Sequence, residues 1–212
     1  MATEFAPYSE PETRSPKEAQ IVEAARRLFL EQGYEITSMD AIAAEANVSK
    51  RTVYSHFRSK ELLFVEVMEG MCAQFGVGDR EAIDPADAPE RYLCSVAKFL
   101  LSKVLDPRMH SVTRTIAAES ASFPEMGQRF WAIGPGKLVQ EVTEYLARQH
   151  EAGALSVPDP RLSAGMFQSM VAGPIFLPTL FTGEAPYTEA DRDRIAREAT
   201  RMFLAAHRPT QG

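Results

Sequence analysis

The stretch that decides the fold is residues 37–60, TSMDAIAAEANVSKRTVYSHFRSK, in a chain of 212 residues. Thr37 is a helix-capping residue with Asp40 three positions later, and Ser49 is a second capping residue, so two short helices are predicted to begin here. Asn47 lies between them, where a tight turn needs a left-handed backbone that Asn tolerates. Two short helices joined in this way predict a helix-turn-helix, although a helical hairpin in an ordinary core would show the same pattern.

Charge favours a DNA-binding motif over a hairpin. The whole chain has a formal net charge of −6, which taken alone argues against a nucleic-acid partner. Between Asn47 and Lys60, however, every charged residue is positive and the local charge is +4. A helix face that merely contacts solvent usually mixes the two signs. Hydroxyl groups that can donate to phosphates lie among these cations, on Ser38, Ser49, Thr52, Tyr54 and Ser55.

Helical patterns continue beyond this stretch and no alternating strand pattern occurs, so the fold class is all-α with about nine helices. Residues 1–14 contain several Pro and Glu residues and are predicted to form a disordered arm. Residues 15–72 are predicted to form the helix-turn-helix domain, and residues 73–212 a second helical domain. Within the second domain, Gly134-Pro135-Gly136 must kink or split a helix.

The motif resembles the signature of the tetracycline-repressor (TetR) family of transcriptional regulators. The residues that carry the resemblance are Gly33-Tyr34, Thr37-Ser38, Ile42-Ala43, Val48-Ser49-Lys50, Thr52 to Phe57 and Ser59 to Leu63. A weaker similarity to the AcrR/AefR-like branch comes from Ala118-Glu119, Phe123-Pro124-Glu125, Gly153 and Asp159. The resemblance implies a three-helix DNA-binding head and a helical bundle for effector binding and dimerisation. It also implies a ligand-responsive regulator, usually a homodimeric repressor that binds a palindromic operator.

In this family the second helix of the motif enters the major groove of DNA. Carried over to this chain, the resemblance assigns DNA contacts to Ser38, Ser49, Lys50, Arg51, Thr52, Tyr54, His56 and Lys60. Lys50, Arg51 and Thr52 would face base edges or the adjacent phosphates, and Tyr54, His56 and Lys60 would contact the DNA backbone. The hydroxyl of Ser38 would bind a phosphate at a helix N-terminus, where the backbone dipole favours an anion.

The segment from Leu162 to Gly183 has no charged residue. Pro174 and Pro178 and several polar residues interrupt it, so we expect a helix buried on most sides, in the core or at a subunit interface, rather than a membrane span. A dimer would place two recognition helices about 34–36 Å apart, and the family builds its dimer interface from its last two helices. The predicted dimer residues are Met166, Val171, Ile175, Phe176 and Leu180.

Met and aromatic residues recur through residues 90–183. Such residues are most often plain core, whereas in TetR-like proteins the corresponding bundle encloses a ligand cavity, which implies a mostly apolar or aromatic effector. His110 and Arg114 could orient a polar end of such a ligand. The candidate pocket residues are Phe99, His110, Arg114, Phe130, Trp131, Phe167 and Met170.

The alternative classes are an enzyme and a helical interaction module that does not bind DNA. The four histidines are scattered, and no metal-binding, nucleophile or phosphate-loop motif occurs, so no catalytic residue, metal or cofactor is expected. An interaction module would not need the unmixed positive strip of the motif. The N-terminus has no basic stretch followed by an apolar one, so the predicted location is the cytoplasm, with no membrane partner.

Overall fold

The computed structural model of the chain describes residues 15–74 and 82–209. All regular secondary structure of these residues is helical, which confirms the predicted all-α class. The helices are α1 (Pro16–Gln32), α2 (Met39–Glu45), α3 (Lys50–His56), α4 (Lys60–Gln74), α5 (Pro89–Val104), α6 (Pro107–Glu119), α7 (Pro124–Ile133), α8 (Pro135–Glu151), α9 (Pro160–Thr182) and α10 (Arg192–Ala206). The described part thus has ten α-helices, because the break at Gly134 separates α7 from α8. The predicted arm, residues 1–14, lies outside the described residues.

The chain divides into two compact units. The head comprises the described residues up to Ala73 together with residues 115–130, and the body comprises Gln74, residues 82–114 and residues 131–209. Residues 115–130 therefore pack with α1–α4 rather than with the helices that surround them in the sequence.

The head is organised around α1. The Ser15 hydroxyl accepts from the backbone N–H of Glu18, and Pro16 occupies the first helical position, where its missing N–H costs nothing. At the other end of α1, the Phe29 ring packs edge-on against Phe64 of α4 with centroids 5.1 Å apart. Tyr34 completes this buried cluster at 4.9 Å from Phe64, so aromatic packing joins α1 to α4.

The start of α2 differs by one residue from the predicted cap. The Ser38 hydroxyl accepts from the N–H of Ala41 at 3.1 Å, so Ser38 and not Thr37 caps the helix. Thr37 is buried instead and donates its hydroxyl to the carbonyl of Gly33 at 2.7 Å. The predicted left-handed turn is confirmed, since Asn47 has φ +50°.

A buried ion pair joins two helices of the head. Arg129 on α7 donates through Nε to the carboxylate of Glu69 on α4. The Glu69 side chain is buried and the Arg129 side chain is mostly buried. Removing either partner would leave a charge in a low-dielectric environment, which costs more than the pair itself contributes. The pair therefore sets the position of α7 on α4.

In the described part of the body, α5, α8, α9 and α10 contribute to a hydrophobic core. Tyr92 of α5 stacks on Tyr145 of α8 with centroids 3.7 Å apart, and Phe167 of α9 packs edge-on against Phe203 of α10 at 5.1 Å. By length and composition, α9 is the one helix among those described that could cross a membrane, a test that the packed helices of soluble proteins also pass.

Within the single chain, α9 is buried on one side only, so burial on most sides stays a prediction that requires a subunit interface. Its buried face consists of Ser163, Ala164, Phe167, Val171, Ile175 and Thr179. The opposite face is apolar as well and is exposed, with Leu162, Met166, Leu177 and Phe181. The helix therefore packs one apolar face into the body and leaves the other uncovered.

Candidate DNA-binding surface

α3 is held in the head by few side chains. The Ser49 hydroxyl accepts from the N–H of Thr52 at 3.1 Å and lies 2.7 Å from the Thr52 hydroxyl, so both predicted contact residues also build the N-cap. Val53 is the only buried residue of α3, and Phe57 is buried directly after it. The Tyr54 side chain is 45% exposed and lies on the outer side of the helix.

The cations of the motif fall into two groups. Lys50 forms an ion pair with Asp40 of α2, with distances of 2.8 and 2.9 Å from its Nζ to the two carboxylate oxygens. Hydrogen bonding to Asp40 raises the pKa of Lys50, which keeps the ammonium charged. Arg51 and Arg58 are exposed and have no ion-pair partner among the described residues. Arg58 was not predicted as a contact, although its charge and its place directly after α3 were visible in the sequence.

Lys60, a predicted backbone contact, is hydrogen-bonded within the head. Its ammonium donates to the backbone carbonyls of Tyr34, at 2.9 Å, and Glu35, at 3.4 Å. It also lies 4.1 Å from the centroid of the Tyr34 ring. These bonds use two of the three N–H donors of the ammonium, and the contact of Lys60 with a DNA phosphate stays a prediction. In this structure the side chain ties the start of α4 to the loop between α1 and α2.

A carboxyl pair forms on the head away from α3. The hydrogen bond with Glu35, reinforced by partial desolvation and by the negative charge of Glu35, raises the pKa of Glu119. Lys60 opposes this rise and Glu61 adds to it. The surplus acid of the head is thus partly gathered at the end of α6, while the exposed side of α3 carries no acid.

The predicted pocket residues do not share one environment. Phe130 belongs to the head and the other six to the body. Phe167 is buried against Phe203, so it belongs to the core, which was the alternative to a pocket position. The Trp131 side chain is 55% exposed, and its place in an effector pocket stays a prediction. A Cβ on Gly136 would lie 2.7 Å from Cδ1 of Trp131, so this glycine allows the indole to approach α8.

The two polar pocket candidates lie four residues apart on α6. His110 is half-buried and donates through Nε2 to the carbonyl of Val104. Arg114 is exposed, and a Cβ on Gly183 would lie 3.5 Å from its Nη1, so the guanidinium lies beside the C-terminus of α9. Phe99 and Met170 are half-buried, and the Lys103 ammonium lies 5.0 Å from the Phe99 ring.

The predicted dimer residues divide into buried and exposed side chains. Val171 and Ile175 are fully buried in the body, so their side chains cannot form a subunit interface, and this part of the prediction is wrong. Met166 is exposed, and Phe176 and Leu180 are half-buried. The exposed face of α9 has further apolar members that the prediction missed, namely Leu162, Leu177 and Phe181, and α10 exposes Met202. They follow helical spacing, but so do the buried residues of α9, and spacing alone could not tell the two faces apart.

Comparison with known proteins matches both parts of the chain to family models. Residues 21–67 match the model described as bacterial regulatory proteins, tetR family. Residues 91–209 match the model described as the AefR-like transcriptional repressor, C-terminal domain.

Relatives agree over nearly the whole chain. The HTH-type transcriptional regulator YhgD of Bacillus subtilis (strain 168) is 28% identical over 184 residues, which is 83% of this chain and 88% of that protein. A TetR-family regulator of known structure from Mesorhizobium loti is 28% identical, with a TM-score of 0.79 over 91% of this chain and 96% of that one. The flavonoid-responsive regulator FrrA, also of known structure, has 31% sequence identity to this chain. Its TM-score is 0.74 over 92% of this chain and 98% of that one. These relatives are regulators and not enzymes, and this chain belongs to the TetR family of bacterial transcriptional regulators.

Proposed function

We propose that the protein is a cytoplasmic homodimeric repressor that binds a palindromic operator through α3 and is released by a small apolar or aromatic effector. The observation that carries this proposal is the placement of α3. One apolar side chain anchors the helix in the head, and the exposed side presents cations and hydroxyl groups without an acid. Such a surface neutralises phosphates and offers donors to base edges.

DNA binding is tested with the DNA that flanks the gene of this protein. Fluorescence anisotropy should show saturable binding whose affinity falls steeply with added salt, since each neutralised phosphate releases counterions. Replacing the exposed tyrosine by phenylalanine (Tyr54→Phe) removes one hydroxyl and should weaken binding less than Tyr54→Ala. Absence of binding at low salt would instead support the DNA-free interaction module.

The uncovered apolar face of α9 supports the homodimer. One short recognition helix gives too little contact for tight and specific binding, and two such helices in a symmetric pair match an operator with two half-sites. The face of α9 that would be covered consists of Leu162, Met166, Leu177 and Phe181. Sedimentation equilibrium should give twice the mass of the chain at micromolar concentration.

The effector proposal rests on the AefR-like match and on the aromatic residues of residues 90–183. FrrA, at 31% identity, is described as flavonoid-responsive, which makes a flavonoid the first probe to test. Trp131 is the only tryptophan of the chain, so its fluorescence reports binding near the junction of α7 and α8. Naringenin should raise the melting temperature and release the operator. A rise with glucose 6-phosphate and none with naringenin would contradict an apolar effector.

Release requires that the effector bind more tightly to a conformation in which the two α3 helices are misplaced for the operator. α4 follows the DNA-binding motif directly in the chain and carries Glu69 of the buried ion pair, so it is the element we expect to transmit the change. The coupling must be reciprocal, and operator DNA should lower effector affinity by the same factor.

A reporter gene placed behind the operator distinguishes a repressor from an activator.

A further inference from the structure

The ion pair between Asp40 and Lys50 joins the first turn of α2 to the first residue of α3. The Lys50 ammonium lies 2.8 Å from one carboxylate oxygen of Asp40 and 2.9 Å from the other. Both side chains are more than half exposed, so the pair lies on the surface of the head. An acid in the first turn of α2 favours the helix dipole, but the dipole does not require its carboxylate to approach Lys50 with both oxygens.

An ammonium group has three N–H donors. The carboxylate of Asp40 engages one side of the group, and at least one donor remains directed away from it. Lys50 is the first residue of α3, and the N-terminal residues of a recognition helix are those that reach base edges. The pair is neutral as a unit, so it has little attraction for phosphates in general, yet it still offers a donor in one direction.

We propose that Asp40 is a specificity-determining residue of the DNA-binding surface, which withholds Lys50 from phosphates and positions its free donor for a base acceptor. The proposal rests on the proposed function, since it needs α3 to bind an operator. On arbitrary DNA, Asp40 lowers affinity because its charge cancels that of Lys50. On the operator, Asp40 holds the ammonium in place, so a base contact costs less ordering of the long side chain.

The test compares the wild-type protein with Asp40→Asn on two DNA probes. One probe is the sequence that the wild-type protein enriches from a random pool of duplexes, and the other is the same sequence scrambled. Asp40→Asn should bind the scrambled duplex several-fold more tightly. The slope of log affinity against log salt concentration should become steeper by about 2, because each of the two protomers gains one cation that can release counterions. The ratio of enriched to scrambled affinity should fall about five- to tenfold, as expected when a base contact is weakened.

Glu45→Gln is the matched control. Glu45 lies at the other end of α2 and forms a 2.8 Å ion pair with Arg27 of α1, so its substitution also removes one negative charge and frees one cation. It should leave the ratio of the two affinities unchanged. Asp40→Glu keeps the carboxylate and should restore discrimination, and in a Lys50→Gln background Asp40→Asn should no longer lower the ratio. A variant that is merely unfolded would lose affinity for both probes rather than gain it for one.

Two results separate the inference from the function on which it rests. Failure of the wild-type protein to enrich any sequence would overturn both. Enrichment by the wild-type protein, combined with an unchanged affinity ratio in Asp40→Asn or with an equal change in Glu45→Gln, would overturn the role of Asp40 and leave the proposed function standing.

Discussion

α3 in the head and α9 in the body both leave one face uncovered, but the two faces differ in chemistry. α3 buries Val53 alone and exposes cations and hydroxyl groups. α9 buries one apolar face and exposes a second, on which Phe181 is 82% accessible. One helix is short and polar outside, and the other is long and apolar on both sides.

The difference indicates two kinds of partner. Each Å² of apolar surface removed from water contributes about 25 cal/mol before the entropic costs of association are subtracted, without direction and with little dependence on salt. Such a face suits a permanent contact with a second copy of the chain. A charged face gains most from a polyanion, and that gain falls as salt is added. It suits a partner that must be released, such as an operator.

The largest effect is expected on the exposed face of α9. Leu177→Glu would place a carboxylate in the proposed dimer interface, at a cost of about 3–5 kcal/mol for each buried charge. Sedimentation should show a monomer, and operator binding should be lost with the dimer. Ile36→Glu, which alters an apolar side chain that is 74% exposed in the head, is the matched control and should leave the dimer intact. A dimer that survives Leu177→Glu would contradict the proposed interface.

The buried face of the same helix should behave differently. Ile175→Ala removes a fully buried side chain from the body and should lower the free energy of unfolding by about 3 kcal/mol through loss of packing. Denaturant titration of the dimer measures this change. At temperatures where the variant is folded, its dimerisation constant should match the wild type. Loss of the dimer without loss of stability would show that the two faces of α9 have been assigned the wrong way round.

On α3, a substitution at the exposed face should affect DNA binding and not stability. Tyr54→Ala removes a hydroxyl predicted to donate to a phosphate, and operator affinity should fall by about 1.5–3 kcal/mol per half-site. The free energy of unfolding should change by no more than about 0.5 kcal/mol, because the side chain is half exposed. Dimerisation and effector affinity should be unchanged. A monomeric Tyr54→Ala variant would contradict the separation of the two surfaces.

The smallest effect concerns charge on the head outside α3. Glu119 has a folded-state pKa above its ordinary value of 4.5, so the protonated form is favoured on folding. The resulting stability is present at low pH and is lost as pH rises through the folded pKa. Glu119→Gln should therefore stabilise the protein by about 0.5 kcal/mol at pH 7, and less as the pH falls toward 4. DNA discrimination should be unchanged, whereas a changed ratio would extend the DNA-binding surface beyond α3.

The helix-turn-helix could be predicted from the sequence because its signals are local. The caps at Ser15 and Ser49 and the left-handed Asn47 act within four residues along the chain. The break at Gly134 and Pro135 is local as well, and only whether it would kink or split the helix was open. The wrong cap at Thr37 shows the limit of local signals, since either hydroxyl could cap α2 and the burial of Thr37 decided between them.

The sequence by itself determined the fold class, the family and the cationic strip of α3, since these follow from short-range pattern and charge. The tertiary structure decided which face of α9 enters the core, because both faces are apolar and periodicity cannot rank them. It also decided the partners of Lys50 and Lys60, which lie 10 and 26 residues away. Long side chains contact neighbours that only the folded chain brings together, so spacing along the sequence could not assign these partners.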